Sequence, residues 1–241
     1  MKKLFTKKPM VIAGPCAVES KSQILSIAKN LHKMGVKVMR TQLWKPRSSP
    51  NSFQGVGVEG IPWLKEIKKR FGMKLCCEVV DPIQIEQTKG VIDVLWVGSR
   101  NMQNFELLKA LNEDSRPVIL KRGFISTIDE WIASANYIGK NKVIMCERGI
   151  RTGADSTRFT LDINTALVIK HDHKIPIIID PSHSAGRSDL VPHLACAAMA
   201  SGVDGLVIEV HNQPSKALSD AKQQLTLKAF ANLFIKLKTL S

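Results

Sequence analysis

The chain is poor in aromatic residues, which make up 5% of it, and Tyr137 is its single tyrosine. Few rings are available for stacking on bases, and no zinc-finger, RNP or basic-zipper signature is present, which argues against a nucleic-acid partner. Cysteine is sparse and odd in number: five residues at 16, 76, 77, 146 and 196, with no Cys-x-x-Cys pair. A disulfide framework is not expected, and reduced thiols in a cytoplasmic setting fit better. No apolar run reaches the length of a membrane span, so no membrane association is expected. The basic start Met1–Lys8 is followed only by the short apolar run Met10–Ala13, too short for the core of a secretory leader. Neither a linker nor a low-complexity segment divides the 241 residues.

What is abundant is positive charge: 35 basic against 21 acidic residues, a net charge of +14. Such an excess serves either nucleic acid or small, highly anionic substrates, and the placement of the cations decides between them. Eight short, mostly apolar runs alternate with polar clusters and helix-like segments. The runs start at Met10, Val36, Lys74, Val94, Pro117, Lys142, Pro176 and Gly205, and their character suits buried parallel strands. Helical spacing marks Ser20–Met34, Gly60–Phe71, Asn101–Leu111, Thr127–Ile138, Ser188–Ala200 and Leu225–Leu240, with Gly35, Gly72 and Gly202 placed as stops. This alternation predicts an α/β fold, a (β/α)8 barrel, with a doubly wound open sheet as the alternative.

In such a barrel the active-site groups come from the C-terminal ends of the strands. Here those ends carry Cys16, Arg40 with Lys45 and Arg47, Glu78, Ser99 with Arg100, Lys121, Glu147 with Arg151, Asp180 with His183, and Glu209. Cations from four strand ends converging on one mouth repel each other unless anions fill the site, so a pocket for phosphates and a carboxylate is expected. Cys16, His183, Glu209 and Asp220 can supply a mixed sulfur, nitrogen and oxygen ligand set for a borderline divalent ion, although their spacing forms no local ligand motif. Taken singly, a buried cysteine is more often core, and an aspartate such as Asp220 serves equally well as a helix cap.

The motifs together are more specific than any one of them. Gly14-Pro15-Cys16 with Glu19-Ser20, Lys45-Pro46-Arg47-Ser48-Ser49-Pro50, Arg100-Asn101-Met102-Gln103-Asn104, Leu120-Lys121-Arg122-Gly123, Cys146 to Thr152, Asp180-Pro181-Ser182-His183 and Ala217-Leu218-Ser219-Asp220 follow in order. From about Val11 to Thr226 the chain resembles the 3-deoxy-D-arabino-heptulosonate 7-phosphate synthases, in their compact type I beta group. That group shares its barrel with the 3-deoxy-D-manno-octulosonate 8-phosphate synthases. The resemblance implies condensation of phosphoenolpyruvate with erythrose 4-phosphate and release of phosphate, at the head of the shikimate pathway.

It further implies Cys16, His183, Glu209 and Asp220 as ligands of a divalent metal, manganese first and iron, cobalt or zinc as alternatives. Arg40, Lys45, Arg100, Lys121 and Arg151 would cradle phosphoenolpyruvate, with Ser99 assisting at its phosphate. Arg47 and Ser48 would meet the aldose phosphate. Lys45 and His183 carry the catalytic roles. Crowding by other cations is expected to lower the pKa of Lys45 and make it the proton donor to the new alkoxide, with electrostatic binding as its other role. Glu147 either holds the attacking water or forms a salt bridge to a neighbouring arginine.

The pattern departs from the resemblance at strand 2. Arg40-Thr41-Gln42-Leu43-Trp44-Lys45-Pro46-Arg47 stands where the family has Arg-Gly-Gly-Ala-Phe-Lys-Pro-Arg. The spacing of the cations is kept, while Leu43 and Trp44 bring bulk toward the expected substrate mouth; compensated repacking and an altered aldose pocket are the two readings. The octulosonate synthases carry one residue more between the lysine and the arginine, so the short loop favours the four-carbon aldose; an octulosonate synthase using arabinose 5-phosphate is the alternative. With nine residues before Met10 and about fifteen after Thr226, neither the regulatory nor the chorismate mutase domain of some relatives is expected. A single catalytic barrel over residues 1–241 is expected, assembled as a homodimer or homotetramer and open to regulation by a separate protein. A catalytically dead barrel acting through interactions alone is a third reading, and the complete set of cation and ligand positions argues against it.

Overall fold

The computed structural model describes residues 10–47 and 49–240. The expectations for Met1–Lys8 and for Ser48 lie outside the described residues.

Eight parallel strands follow one another around a closed barrel. They are β1 (Met10–Gly14), β2 (Val38–Arg40), β3 (Lys74–Glu78), β4 (Val94–Val97), β5 (Val118–Lys121), β6 (Val143–Glu147), β7 (Ile177–Ile179) and β8 (Gly205–His211). Closure comes from β1 pairing with β8, where Met10 aligns with Gly205 and Gly14 with Glu209. That register brings the Cys16 turn beside Glu209. Gly205 permits the close contact, because a Cβ there would meet the Met10 carbonyl oxygen at 2.2 Å. The strands are buried on both faces, which is why they read as continuous apolar runs rather than as alternation. Inside the barrel Ile12, Cys76, Trp96, Ile119, Ile144 and Val207 form one cluster. Outside it the other strand faces pack against the helix layer.

The surrounding helices are α1 (Lys21–Met34), α2 (Ile61–Phe71), α3 (Pro82–Gln87), α4 (Phe105–Glu113), α5 (Ile128–Ile138), α6 (Ile163–His171), α7 (Pro181–Ala185), α8 (Val191–Ala200) and α9 (Leu227–Thr239). A two-residue strand, β9 (Leu225–Thr226), adds to the end of β8. Ser20 caps α1 by accepting from the Gln23 amide, and Gly35 ends it in the left-handed conformation. Thr127 and Glu130 form a reciprocal capping box on α5.

Three helices had no counterpart in the sequence pattern, one of them the five-residue α7 directly after β7. Helix α3 has only six residues and rests on the Asp81 cap and Pro82. Helix α6, Ile-Asn-Thr-Ala-Leu-Val-Ile-Lys-His, has weak contrast between its faces and reads from sequence much like a strand. The helix expected from Asn101 starts at Phe105, after a tight turn over Ser99–Asn101, and the one expected from Ser188 starts at Val191. No helix among the described residues is long and apolar enough to cross a membrane.

Candidate active site

The strand ends open into a cavity of about 260 Å³. Arg40, Lys45, Arg47, Arg100, Lys121, Arg148 and Arg158 contribute seven basic side chains to its wall, against the two carboxylates of Glu78 and Asp220. Trp96 forms part of the apolar floor, with the Lys121 Nζ 4.5 Å and the Arg40 guanidinium 5.2 Å from its ring centre. This concentration of cations in one concave site answers the question left open by net charge: the excess positive charge has an inward-facing component suited to small anions.

At one end of the cavity Cys16, His183, Glu209 and Asp220 converge, with one donor atom from each lying within 4.8 Å of the others. Cys16 sits in the turn after β1, and its thiol donates to Asp220 Oδ2 at 3.1 Å. Glu209 is the fifth residue of β8 and fully buried. Its Oε2 accepts from the Gln223 amide at 2.7 Å, while Oε1 has no hydrogen-bond partner of good geometry and lies 3.0 Å from an Arg40 nitrogen. Asp220 is delivered by the loop after β8 in a left-handed conformation, φ +47°, uncommon for a residue with a side chain. Arg158 braces its other oxygen at 3.3 Å and also donates to Gln223 at 2.9 Å.

His183 lies in α7, directly after β7, and presents Nε2 to Glu209 Oε1 at 3.5 Å and to Asp220 Oδ2 at 3.9 Å. Its Nδ1 faces Asp180 Oδ2 at 2.8 Å. Burial pushes the His183 pKa down to about 4, so the ring is neutral at physiological pH. Burial, reinforced by Glu209, pushes the Cys16 thiol well up. A neutral thiol and two clustered carboxylates in a buried pocket are what a dication would rearrange, by ionising the thiol and compensating the acids. The donor set, the neutral imidazole and the Glu209 Oε1, which accepts no hydrogen bond, all fit a divalent metal.

Lys45 departs from the expectation for it. Burial opposes its charge, but the negative charge that Glu209 and Asp220 bring outweighs this and holds its pKa above the ordinary lysine value. The ammonium stands 3.5 Å from Asp220 Oδ2, so the nearby acids, not the nearby cations, set its state. Arg40 is buried, and its Nε and NH1 make no hydrogen bond to the protein, which leaves them as donors for an anion.

Arg151 and Arg100 stand around Phe124, with guanidinium carbons 5.5 and 5.4 Å from the ring centre. Arg100 borders both this cavity and a neighbouring one of about 430 Å³ that Ser99 and Phe124 also line, whereas Arg151 borders only the neighbouring one. The sequence-derived set is thus brought together except for Arg151, one wall away, and Ser48, outside the described residues.

Glu147 is engaged elsewhere: its carboxylate receives Arg122 at 3.1 Å and the Gly149 amide at 2.6 Å. This is the salt-bridge role. Thr41 donates to the Cys76 carbonyl, Gln42 accepts from the Glu78 amide, and Leu43 is buried in the outer core. Trp44 is packed against that core, and none of these four side chains borders the cavity. The strand-2 departure is repacking beneath the site.

Sequence reasoning missed three contributors. Arg148 lies 4.0 Å from the Phe159 ring centre, and burial pushes its pKa down to about 10. Arg158 sits in an irregular loop, where periodicity gives no signal. Glu19 accepts from the Leu218 amide at 2.9 Å and faces His211 at 3.4 Å, tying the β1 turn to the loop that carries Asp220. Its position in the motif with Cys16 was visible; its partner, some 200 residues away, was not.

A barrel whose C-terminal mouth joins an anion pocket to a Cys, His, Glu and Asp cluster defines an enzyme acting on small phosphorylated substrates. Comparison with known proteins narrows the class: the chain belongs to the DAHP synthetase I family, which it matches over residues 6–241. It is 44% identical over 234 residues to a phospho-2-dehydro-3-deoxyheptonate aldolase of Thermotoga maritima, covering 96% of this chain and 69% of the relative. The crystal structure of the Thermotoga maritima DAHP synthase superposes with a TM-score of 0.91 at 45% identity, over 96% of this chain and 68% of that one. A 2-dehydro-3-deoxyphosphooctonate aldolase of Thioalkalivibrio sulfidiphilus is more distant, 30% identical over 251 residues, covering 95% of this chain and 89% of the relative.

Proposed function

We propose that the chain is a metal-dependent 3-deoxy-7-phosphoheptulonate synthase, a transferase that condenses phosphoenolpyruvate with erythrose 4-phosphate and releases inorganic phosphate. The observation that carries this reading is the junction of the two half-sites. Lys45 is at once part of the cation-lined wall and 3.5 Å from a carboxylate of the four-residue cluster. The 44% identity to a heptonate enzyme, against 30% to an octonate enzyme, supports the four-carbon aldose, as does the short Lys45-Pro46-Arg47 loop.

In this reading Arg40 and Lys121 hold the carboxylate of phosphoenolpyruvate over Trp96, and Arg100, with Ser99, holds its phosphate, while Arg151, expected to join them, stands in the neighbouring cavity beside Phe124. Arg47 and Ser48 hold the aldose phosphate at the mouth. Cys16, His183, Glu209 and Asp220 would hold a divalent ion, manganese first, which would supply Lewis acidity at the aldehyde. As C3 of phosphoenolpyruvate attacks the aldehyde carbon, the Lys45 ammonium delivers its proton to the alkoxide that forms. Water then adds at C2, and phosphate departs by C–O cleavage. The barrel carries the whole catalytic site, as a cytoplasmic homodimer or homotetramer open to a separate regulatory protein.

The test is phosphoenolpyruvate consumption with erythrose 4-phosphate, before and after exhaustive chelation and with manganese restored. Aldose-dependent consumption that vanishes and returns is expected. Faster turnover with arabinose 5-phosphate would move the assignment to the octulosonate synthases. Activity that survives chelation would remove the metal from the reading.

A further inference from the structure

One buried carboxylate faces both half-sites. Asp180 stands between β7 and α7 with no exposed surface. Its Oδ2 lies 2.5 Å from Lys121 Nζ and 2.8 Å from His183 Nδ1, and its Oδ1 accepts the His183 backbone amide at 2.9 Å. Its own amide is fixed to the Glu147 carbonyl at 2.8 Å, which holds its backbone in place. Lys121 and His183 come from different strand ends, yet Nζ and Nδ1 are 3.5 Å apart because they share one oxygen.

We infer that Asp180 is a positioning residue that couples the metal half-site to the anion half-site through this shared oxygen. The inference rests on the proposed function, since it takes His183 as a metal ligand and Lys121 as an anion contact. A carboxylate at Nδ1 keeps the ring proton there and leaves the Nε2 lone pair facing Glu209 and Asp220. The same carboxylate is the one paired with Lys121 among the described residues. A dication drawing on Nε2 makes Nδ1–H a stronger donor and pulls Asp180 toward the histidine. Lys121 then has more charge to offer an anion above Trp96. By linkage, an anion on Lys121 strengthens metal binding by the same factor.

Asp180→Asn separates this from a merely structural role, because it keeps the size of the side chain and an oxygen for the His183 amide. The new amide nitrogen donates where Oδ2 accepted. It confronts the Lys121 ammonium, and it favours the His183 tautomer with the proton on Nε2, which blocks the lone pair. Calorimetric titration of the metal-free full chain with cobalt(II) alone is expected to show an affinity about tenfold or more below the parent. Titration with phosphoenolpyruvate alone is expected to show an affinity at or above the parent's, because Lys121 no longer shares its charge with a carboxylate, and the gain in phosphoenolpyruvate affinity that cobalt gives the parent is expected to vanish. A variant that keeps its cobalt affinity within about twofold, or whose phosphoenolpyruvate affinity still rises with cobalt as the parent's does, overturns the coupling.

Should Asp180→Asn fail to fold, nitrogen-15 histidine spectra of the metal-free parent decide the matter, with His183 assigned through its disappearance in His183→Gln. The proton on Nδ1 is the expected result, and the proton on Nε2 overturns the inference. A parent that binds neither cobalt nor phosphoenolpyruvate overturns the proposed function itself, and the inference with it.

Discussion

At the scale of single residues, the site works by opposing burial with charge. Lys45 shows this most clearly, since the acids beside it hold its proton more tightly than crowding by cations would have. Lys45→Arg tests what the proton does. Arginine restores the charge but gives up a proton far less readily, so kcat is expected to fall by about 100-fold or more with the KM for phosphoenolpyruvate little changed. Recovery of kcat by arginine would make Lys45 an electrostatic anchor only. His183 gives a second prediction, for the metal-free protein. Its folded pKa, about 4, lies below the unfolded value of 6.5, so above pH 6.5 both states are neutral at this ring. As pH falls from 6.5 toward 4 the unfolded state takes up a proton that the folded state refuses, and stability is lost across that window. Urea midpoints followed across it are expected to fall more steeply for the parent than for His183→Gln, by about one proton. Equal slopes would mean that His183 is charged in the fold. The residue types at these positions were legible in the sequence. Their states were not, because these depend on neighbours such as Asp180, Glu209 and Asp220 that only closure of the barrel brings together.

Among the elements, those legible in the sequence were the ones with strong local causes. The strands read as apolar runs because both of their faces are buried, and the ends of α1 and α2 were marked by Gly35 and Gly72. Helices α3 and α6 escaped because one is too short to show a period and the other lacks contrast between its faces. The segment after β2 shows the same limit in a functional place. Thr41 and Gln42 replace the family's glycines by bonding to the Cys76 carbonyl and the Glu78 amide, partners that lie on the neighbouring strand. Farther along, the segment closes on itself through Lys45 N–H to the Gln54 carbonyl at 2.8 Å and Gly57 N–H to the Leu43 carbonyl at 2.9 Å. Gly55 makes this closure possible. Its φ is +98°, and a Cβ there would meet the Leu43 carbonyl oxygen at 2.1 Å. Gly55→Ala is therefore expected to displace Lys45 and Arg47 together, raising the KM for erythrose 4-phosphate about tenfold or more and leaving cobalt affinity within about twofold. Steady-state kinetics with a parallel metal titration check this, and an unchanged aldose KM would show that the loop tolerates opening.

For the molecule as a whole, a net charge of +14 was compatible with two kinds of partner, and topology is what discriminates between them. A closed parallel barrel sends all its strand ends to one mouth, so basic residues scattered over some 120 positions, from Arg40 to Arg158, become a single lining. No local window of sequence displays that convergence; it follows from the alternation of strands and helices once the barrel is recognised. The low-dielectric floor around Trp96 then focuses the field of these cations into the cavity. Phosphoenolpyruvate is a compact polyanion, so its capture is expected to depend on this field as well as on direct contacts. Its kcat/KM is expected to fall several-fold between about 20 and 300 mM sodium chloride, while kcat at saturation changes little, since exposed charges are screened over about 10 Å at 0.1 M salt. Arg47→Gln, which removes a cation at the mouth, is expected to flatten the salt dependence as well as to weaken aldose binding. Kinetics at constant pH across the salt series decide the point. A kcat/KM that is flat in salt would mean that only short-range pairing with the buried Arg40 and Lys121 captures the substrate, and that the remaining positive charge serves the surface of the molecule.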